Sequence, residues 1–301
     1  MPAIGLNASV NENPRWSSSR FSTYQGCMTK YYIQYIRQLV VEGRDSDLAQ
    51  KGLAFHQIAE QMDSSKSIDD LLNIAKRITG EMEIDEEKYP VVKAIPRFYA
   101  WWMEYIQPLE NAGYTLTKEH WENSKILGKP LTGAMDLLLI NETTKDVIII
   151  DFKTGSQAKI AGYENQLMLY ATMIGRKLDL KTPDIPSKIK TYLYFPLAGL
   201  KGASDEKIAK DAGKIYKQLI YSEDDLIKLI TDYEKIVVDS ETKDWDNFEY
   251  GSEENCQLSF SCSWCGVCGH PRFCKASYNA GLKFPRKAKI YVKGDEEKKP
   301  V

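Results

Sequence analysis

Two hydrophobic periods divide this chain, and the change falls near Gly113. From Ser17, the run SSSRFSTYQGCMTKYYIQYIRQLV places aromatic and aliphatic residues at helical spacing behind a serine, which predicts a capped helix. KGLAFHQIAEQM, Lys51 to Met62, has the spacing of a second, short amphipathic helix carrying His56. Residues 67–110 keep the helical period, with Gly80 and Pro90 as breaks, and FYAWWMEYI within them reads as a packing surface. Beyond Gly113 the runs YTLTKEHWEN, KPLTGAMDLLLI and DVIIIDFKTG read as strands separated by turn residues. AGYENQLMLYATMIG returns to helical spacing, KIKTYLYFPLAG predicts another strand, and Ser222 with Asp225 forms a capping-box pattern opening a further helix. The order predicts an α/β fold: a central mixed sheet flanked by helices, with an N-terminal helical region and a C-terminal cysteine-rich region appended.

The 301 residues, 43% hydrophobic and 27% charged, are enough for a buried core and exclude global disorder. Forty basic and 42 acidic residues leave a formal charge of −2, so a uniformly basic coat is excluded while local basic stretches are not. Two such stretches stand out. Residues 181–220 carry eight lysines against four acids, and 281–301 carry seven lysines or arginines against three. Either could follow a phosphate backbone or be a solvated lysine-rich surface. No apolar run reaches the length of a membrane span, and MPAIGLNASVNENPRW lacks the basic-then-apolar pattern of a signal peptide, so a cytoplasmic location without a membrane partner is expected. In that compartment thiols stay reduced, and five of the six cysteines crowd between Cys256 and Cys274, a spacing that suits metal binding better than disulfides.

The strongest chemical signal is LTGAMDLLLINETTKDVIIIDFKTG, two hydrophobic strands around a polar turn. A turn centred between Thr143 and Thr144 pairs positions that sum to 287, which sets Asp136 opposite Asp151. Cross-strand Cβ atoms lie about 4.5–5.5 Å apart, so two carboxylates there need a proton or a cation between them. Period two puts Lys153 on the face of Asp151. Hard oxygen donors of this kind suit Mg²⁺ or Mn²⁺, and the alternative is a surface salt bridge at the strand ends.

Gly133-Ala-Met-Asp136 followed by Asp151-Phe-Lys153-Thr-Gly155 resembles the PD-(D/E)xK nuclease signature in its RecB-like form. Gln166-Leu-Met-Leu-Tyr170 is similar to the QxxxY motif of that family, and His56 in GLAFHQIAE to its upstream histidine. The resemblance runs from about Ser17 to Cys274 and implies a restriction-endonuclease-like core. It implies that His56, Asp136, Asp151 and the backbone carbonyl of Phe152 bind the divalent metal, that Lys153 assists the attacking water, and that Gln166 and Tyr170 position Lys153 and the DNA backbone. Glu119, on the preceding strand, is either an accessory acid or a solvated strand residue.

Thiolates hold Zn²⁺ or iron–sulfur clusters, usually four at a time. In the iron–sulfur branch of RecB-like nucleases, which includes AddB-type and CRISPR-adaptation enzymes, one cysteine comes from an N-terminal helix and three from the C-terminus. Cys27 is similar in position to that distant ligand of a 4Fe-4S cluster. Its partners are Cys262, Cys265 and Cys274, or Cys265, Cys268 and Cys274, with Cys256 outside the set. A local Zn²⁺ site from Cys262, Cys265, Cys268 and Cys274 is the alternative, and His270 could also enter it.

The implied organisation is an arm over 1–16, one nuclease domain over 17–280 and a basic tail over 281–301. Within the domain, 17–112 is the helical part, 113–200 the catalytic core, and 201–280 the helical and cysteine-rich part. The implied activity is metal-dependent phosphodiester hydrolysis of DNA, as an exonuclease on single strands or ends in recombination, repair or CRISPR adaptation, with a helicase or adaptation protein as partner. The rival is a DNA-binding or scaffolding subunit that keeps the fold without cutting.

Overall fold

A computed structural model describes residues 15–42, 47–200, 203–204, 215–249, 252, 255, 274–280 and 289–292. The expected N-terminal arm, apart from its last residues, and Cys256, Cys262, Cys265, Cys268 and His270 lie outside them. The chain divides into two compact units, one built from Met1–Asp45, Ser124–Thr132 and Thr231–Val301, the other from Ser46–Asn123 and Gly133–Ile230.

In the first unit, Ser17 caps α1 (Ser18–Gly26) by accepting the Arg20 amide at 3.3 Å. The predicted long helix breaks at Cys27, whose backbone is extended at φ −162°. Gly26 ends the first helix, and the Cys27 thiol caps α2 (Met28–Tyr31) by accepting the Lys30 amide at 3.4 Å. A π-helical turn, Tyr32–Ile36, leads to β1 (Leu39–Glu42). Strand β1 pairs antiparallel with β7 (Lys289–Val292), so part of the expected basic tail is a strand.

Aromatic packing holds this unit. Buried Arg20 lies 4.5 Å from the Trp16 ring centroid and donates to the Tyr31 hydroxyl at 2.8 Å, satisfying a charge that burial would otherwise make costly. Phe21 stacks on Tyr233 with centroids 3.7 Å apart. The Tyr31 hydroxyl meets Ser240 at 2.8 Å, and the Tyr24 hydroxyl donates to Asp239. Thr29 reaches the carbonyl of Asn255 through both its amide, at 3.0 Å, and its hydroxyl, at 2.9 Å.

The second unit carries most of a five-stranded sheet in the order β2-β3-β4-β5-β6. Strands β2 (Thr115–Ile126) and β3 (Lys129–Asn141) are joined by Leu127 and Gly128, whose φ angles of 47° and 77° make the two-residue turn a hairpin favours. β3 and β4 (Asp146–Phe152) pair antiparallel with Leu137 opposite Ile150 and Asn141 opposite Asp146, the register that sums to 287. The Asn141 side-chain oxygen accepts the amides of Thr143 and Thr144 and shapes that turn. β5 (Ile189–Tyr194) runs parallel to β4, and β6 (Tyr216–Leu219) antiparallel to β5, so the sheet is mixed as expected.

Both faces of this sheet are covered. On one lie α3 (Asp47–Glu60), α4 (Ile68–Glu81) and α5 (Ile95–Trp101), the last continued by a π-helical turn into α6 (Gln107–Asn111). Phe55, Phe98, Trp101, Phe152 and Tyr194 interlock there, with Trp101 and Tyr194 stacked at 4.1 Å, so the FYAWWMEYI run is core. On the other lies α7 (Glu164–Lys177), packing Tyr170, Ala171 and Ile174 on Met135, Leu138, Val147 and Ile149, with α8 (Ile185–Lys188) beside it. Ser222 and Asp225 exchange the expected capping-box hydrogen bonds at the start of α9 (Glu223–Thr242). A short α10 (Lys275–Asn279) follows Cys274. Among the described residues no helix is long and apolar enough to cross a membrane.

Candidate active site

The site lies in the second unit, at the end of β4 where two neighbouring strands break their alternation. On β3, Leu137 and Leu139 pack toward α3 and α5, whereas Gly133 and Met135 face α7. Residues two apart should share a face, so the strand slips phase at Asp136. On β2, Lys118 donates to the carbonyls at the end of α3, and the next residue, Glu119, also reaches α3. Glu119 makes this slip with φ 48°, a left-handed conformation that a side chain adopts only under local constraint. The slips turn both carboxylates toward His56 on α3. Asp136 Oδ1 lies 3.1 Å and Glu119 Oε1 3.6 Å from His56 Nδ1. One donor atom from each of the three lies within 4.8 Å of the others.

Asp136 and Asp151 lie just past the end of the expected register and do not share one set of neighbours. The ladder's last backbone pair is Leu137 with Ile150. Beyond it, Asp136 Oδ2 accepts the amide of Phe152, taking the place of a backbone rung, while the Phe152 ring sits in the aromatic core. Asp151 instead faces α7. Its Oδ1 accepts from Gln166 Nε2 at 3.1 Å, and its Oδ2 lies 2.6 Å from Lys153 Nζ. That ion pair lacks the alignment of a hydrogen bond, which leaves a buried carboxylate oxygen without one.

Gln166 is the hub of this half. Its Oε1 accepts from Lys153 Nζ at 3.0 Å, and its Nε2 donates to Asp151 and, at 2.8 Å, to the Tyr170 hydroxyl. Helical spacing of four is what lets Gln166 and Tyr170 meet. Gly133 is explained by the same ring, since a Cβ there would lie 2.9 Å from Tyr170 Cε1 and 3.3 Å from Met173 Sδ. The Lys153 ammonium also lies 4.7 Å from the centroid of Tyr163.

Burial pushes the Asp151 carboxyl up to about 6, Asp136 adding to the rise and Lys153 and His56 opposing it. Burial likewise raises Glu119, again with Asp136 adding. Burial alone would lower His56, but the hydrogen bond and charge of Asp136, with Glu119 and Asp151, raise it above its ordinary value. Glu119 and Asp151, both shifted against their ionised forms, crowd with Asp136 and an imidazole, an arrangement that a divalent cation would relieve. Carboxylate oxygens with one imidazole suit Mn²⁺ or Mg²⁺, so the residues fit such an ion, with His56, Glu119 and Asp136 as the near donors and Asp151 adjoining.

A family profile described as the PD-(D/E)XK nuclease superfamily matches residues 15–275 of this chain. The chain belongs to that superfamily. Members use divalent metals, and the fold implies DNA as substrate. Among solved structures, the chain is similar to a Eubacterium rectale protein described as a candidate exonuclease, at 12% identity and a TM-score of 0.39, covering 87% of this chain and 97% of that one. It is also similar to SSO0001, at 13% identity and a TM-score of 0.32, covering 76% and 95%. Likenesses this distant carry no functional argument. No curated protein matches the sequence.

One contributor, Tyr163, was not singled out in the sequence. Tyr163 sits one helical turn before Gln166, the spacing that could have found it. Glu119, left in the sequence as an accessory acid or a solvated strand residue, lies with His56 and Asp136, and its inward turn depends on the β2 phase slip. Of the cysteines, Cys27 and Cys274 are described, and both belong to the first unit. His120 and Glu122 point to the α7 face instead, where Glu122 Oε2 takes His120 at 3.0 Å and Lys177 at 2.8 Å. Lys188, from the first basic stretch, is occupied by the β3–β4 turn, donating to the Thr144 carbonyl and Asp146.

Proposed function

We propose that this protein is a divalent-metal-dependent deoxyribonuclease that works as an exonuclease on single-stranded DNA or DNA ends. The observation that carries the reading is the convergence of His56, Glu119 and Asp136 with the Asp151–Lys153–Gln166 network at one strand end. Bound Mg²⁺ or Mn²⁺ would lower the pKa of a water and offset charge on the phosphoryl oxygens. His56, Glu119, Asp136 and Asp151 are the side chains that would hold it, with the Phe152 carbonyl. The chain's own part is positioning. Gln166 fixes the Lys153 ammonium beside Asp151, where it can hold the attacking water and meet charge developing on the phosphate. Hydrolysis forms a new P–O bond to water oxygen and breaks the bond to the leaving sugar oxygen, which takes up a proton.

The test is release of nucleotides from end-labelled single-stranded DNA with Mg²⁺ or Mn²⁺. Activity that survives in both Asp151→Ala and Lys153→Ala would refute the site, and binding without cutting under either metal would favour a scaffolding subunit.

We further infer a place in the iron–sulfur branch, with Cys27 and three C-terminal cysteines as ligands of a 4Fe-4S cluster. Supporting it, Thr29 is tied to Asn255, and β1 to β7, so residues beside Cys27 and residues of the C-terminal segment share one unit. A brown anaerobic preparation that loses colour in Cys27→Ser is the expected result, and a colourless protein carrying zinc overturns it. Recombination, repair and CRISPR adaptation all consume such an activity, and a helicase or adaptation protein would be its partner.

A further inference from the structure

Beyond the acidic cluster, the second unit holds a cavity of about 300 Å³ in which two lysines, Lys51 and Lys88, and the hydroxyl-bearing Tyr89, Thr154 and Ser156 stand among largely apolar walls. It adjoins the proposed active site along two elements. Thr154 follows Lys153 directly, and Lys51 precedes His56 on α3 by five residues, about 7.5 Å along a helix. These elements touch here, since a Cβ on Gly52 would lie 3.3 Å from Thr154 Oγ1. Across the cavity, the Gly199 amide donates to the Ser156 carbonyl at 3.3 Å and closes the loop.

Two ammonium groups lie near one ring. Lys51 Nζ lies 5.2 Å and Lys88 Nζ 5.0 Å from the Tyr89 centroid. Burial lowers the pKa of Lys51, which has no carboxylate partner among the described residues. An anion beside Lys51 would relieve that cost. The hydroxyls of Thr154 and Ser156 add hydrogen-bond donors, and the Tyr89 ring offers a surface on which a base can stack.

We propose that this cavity binds a phosphate of the substrate strand adjoining the scissile one, held by Lys51 and Lys88 and the hydroxyls of Thr154 and Ser156, with the neighbouring base on Tyr89. The identity of the ligand rests on the nuclease reading, whereas anion binding itself does not. The phosphate could be internal or terminal, and the substrate decides which.

The test is equilibrium binding of a fluorescent single-stranded oligonucleotide by the full chain in EDTA, over a range of salt. Lys51→Gln with Lys88→Gln is expected to weaken binding and to flatten the slope of log K against log salt by about 0.7 for each phosphate no longer neutralised. Tyr89→Ala is expected to weaken binding roughly 5- to 150-fold. Lys145→Gln, on the exposed turn at the opposite end of β3 and β4, controls for loss of charge alone and leaves the slope nearly unchanged. Unaltered thermal unfolding of the double variant establishes that it is folded. A deficit seen with circular as well as linear DNA assigns an internal phosphate, and one seen only with end-phosphorylated DNA assigns a terminal phosphate. A double variant that binds as the wild type does, or no worse than Lys145→Gln, overturns the proposal. Because EDTA keeps metal away, these outcomes are independent of cutting: a protein that never cleaves would refute the nuclease reading and leave the binding result standing.

Discussion

Gly133→Ala is the substitution whose effect can be worked most directly from distances. The added Cβ would fall 2.9 and 3.0 Å from two carbons of the Tyr170 ring and 3.3 Å from Met173 Sδ. Tyr170 is 5% exposed and its hydroxyl is held by Gln166, so the ring cannot simply swing away. Overpacking of this kind costs about 1–3 kcal/mol. At roughly 2–4 °C per kcal/mol, the melting temperature should fall by about 2–12 °C. Activity should fall further than stability, because the displaced ring carries Gln166, and Gln166 carries Lys153 and Asp151. The decisive assay is a double-mutant cycle in thermal or urea unfolding. In a Tyr170→Ala background the two tightest contacts are gone, only the flexible Met173 Sδ remains at 3.3 Å, and Gly133 has no positive φ to protect, so the alanine should be neutral or stabilising by about 0.4–1 kcal/mol. The effect of one substitution thus changes sign with the other. Costs that simply add, within about 0.5 kcal/mol, would show that the glycine is not there for the ring.

Three further outcomes are expected. Mg²⁺ or Mn²⁺ at a hundredfold excess over Kd should stabilise the protein by about 2.7 kcal/mol, and Asp136→Asn should abolish the shift; an equal shift in that variant would place the ion elsewhere. Gln166→Ala should slow cleavage roughly 10- to 100-fold, the worth of a hydrogen bond to a charged group, with substrate affinity little changed; wild-type rates would mean Lys153 needs no positioning. Glu122 is pushed up by burial, but the hydrogen bonds of Lys177 and His120 outweigh that and hold it below its ordinary value. Its contribution is therefore present above the unfolded carboxylate pKa and is lost as pH falls through the lower folded one, so Lys177→Ala should lose about 1 kcal/mol near pH 6 and nothing once Glu122 is protonated. Urea midpoints at the two pH values measure it, and a cost equal at both would refute the ion pair's role.

The β3–β4 register was legible because a polar turn of fixed length between two apolar strands leaves little freedom, and Asn141 binds the turn as that length requires. Helix α3 and its histidine were legible as local periodicity. The phase slips at Glu119 and Asp136 were not, since a bulge is decided by how a strand meets its neighbours and not by its own alternation. The simple cross-strand pair of Asp136 and Asp151 therefore resolved into one carboxylate on the α3 side and one on the α7 side. The single long N-terminal helix failed for a different reason. The aromatic spacing continues through the break, and only Gly26 and the cap donated to Cys27 mark its end.

The β1–β7 pairing has a consequence for synthesis on the ribosome. Leu39–Glu42 emerges early, and its partner strand, Lys289–Val292, emerges after the whole second unit has been made. At roughly 5–20 residues per second, the first strand waits on the order of tens of seconds for its neighbour. The second unit, continuous apart from the hairpin tip, has everything it needs in that interval. Until then this two-stranded sheet cannot form, and the backbone groups of Leu39–Glu42 that it pairs are left to water.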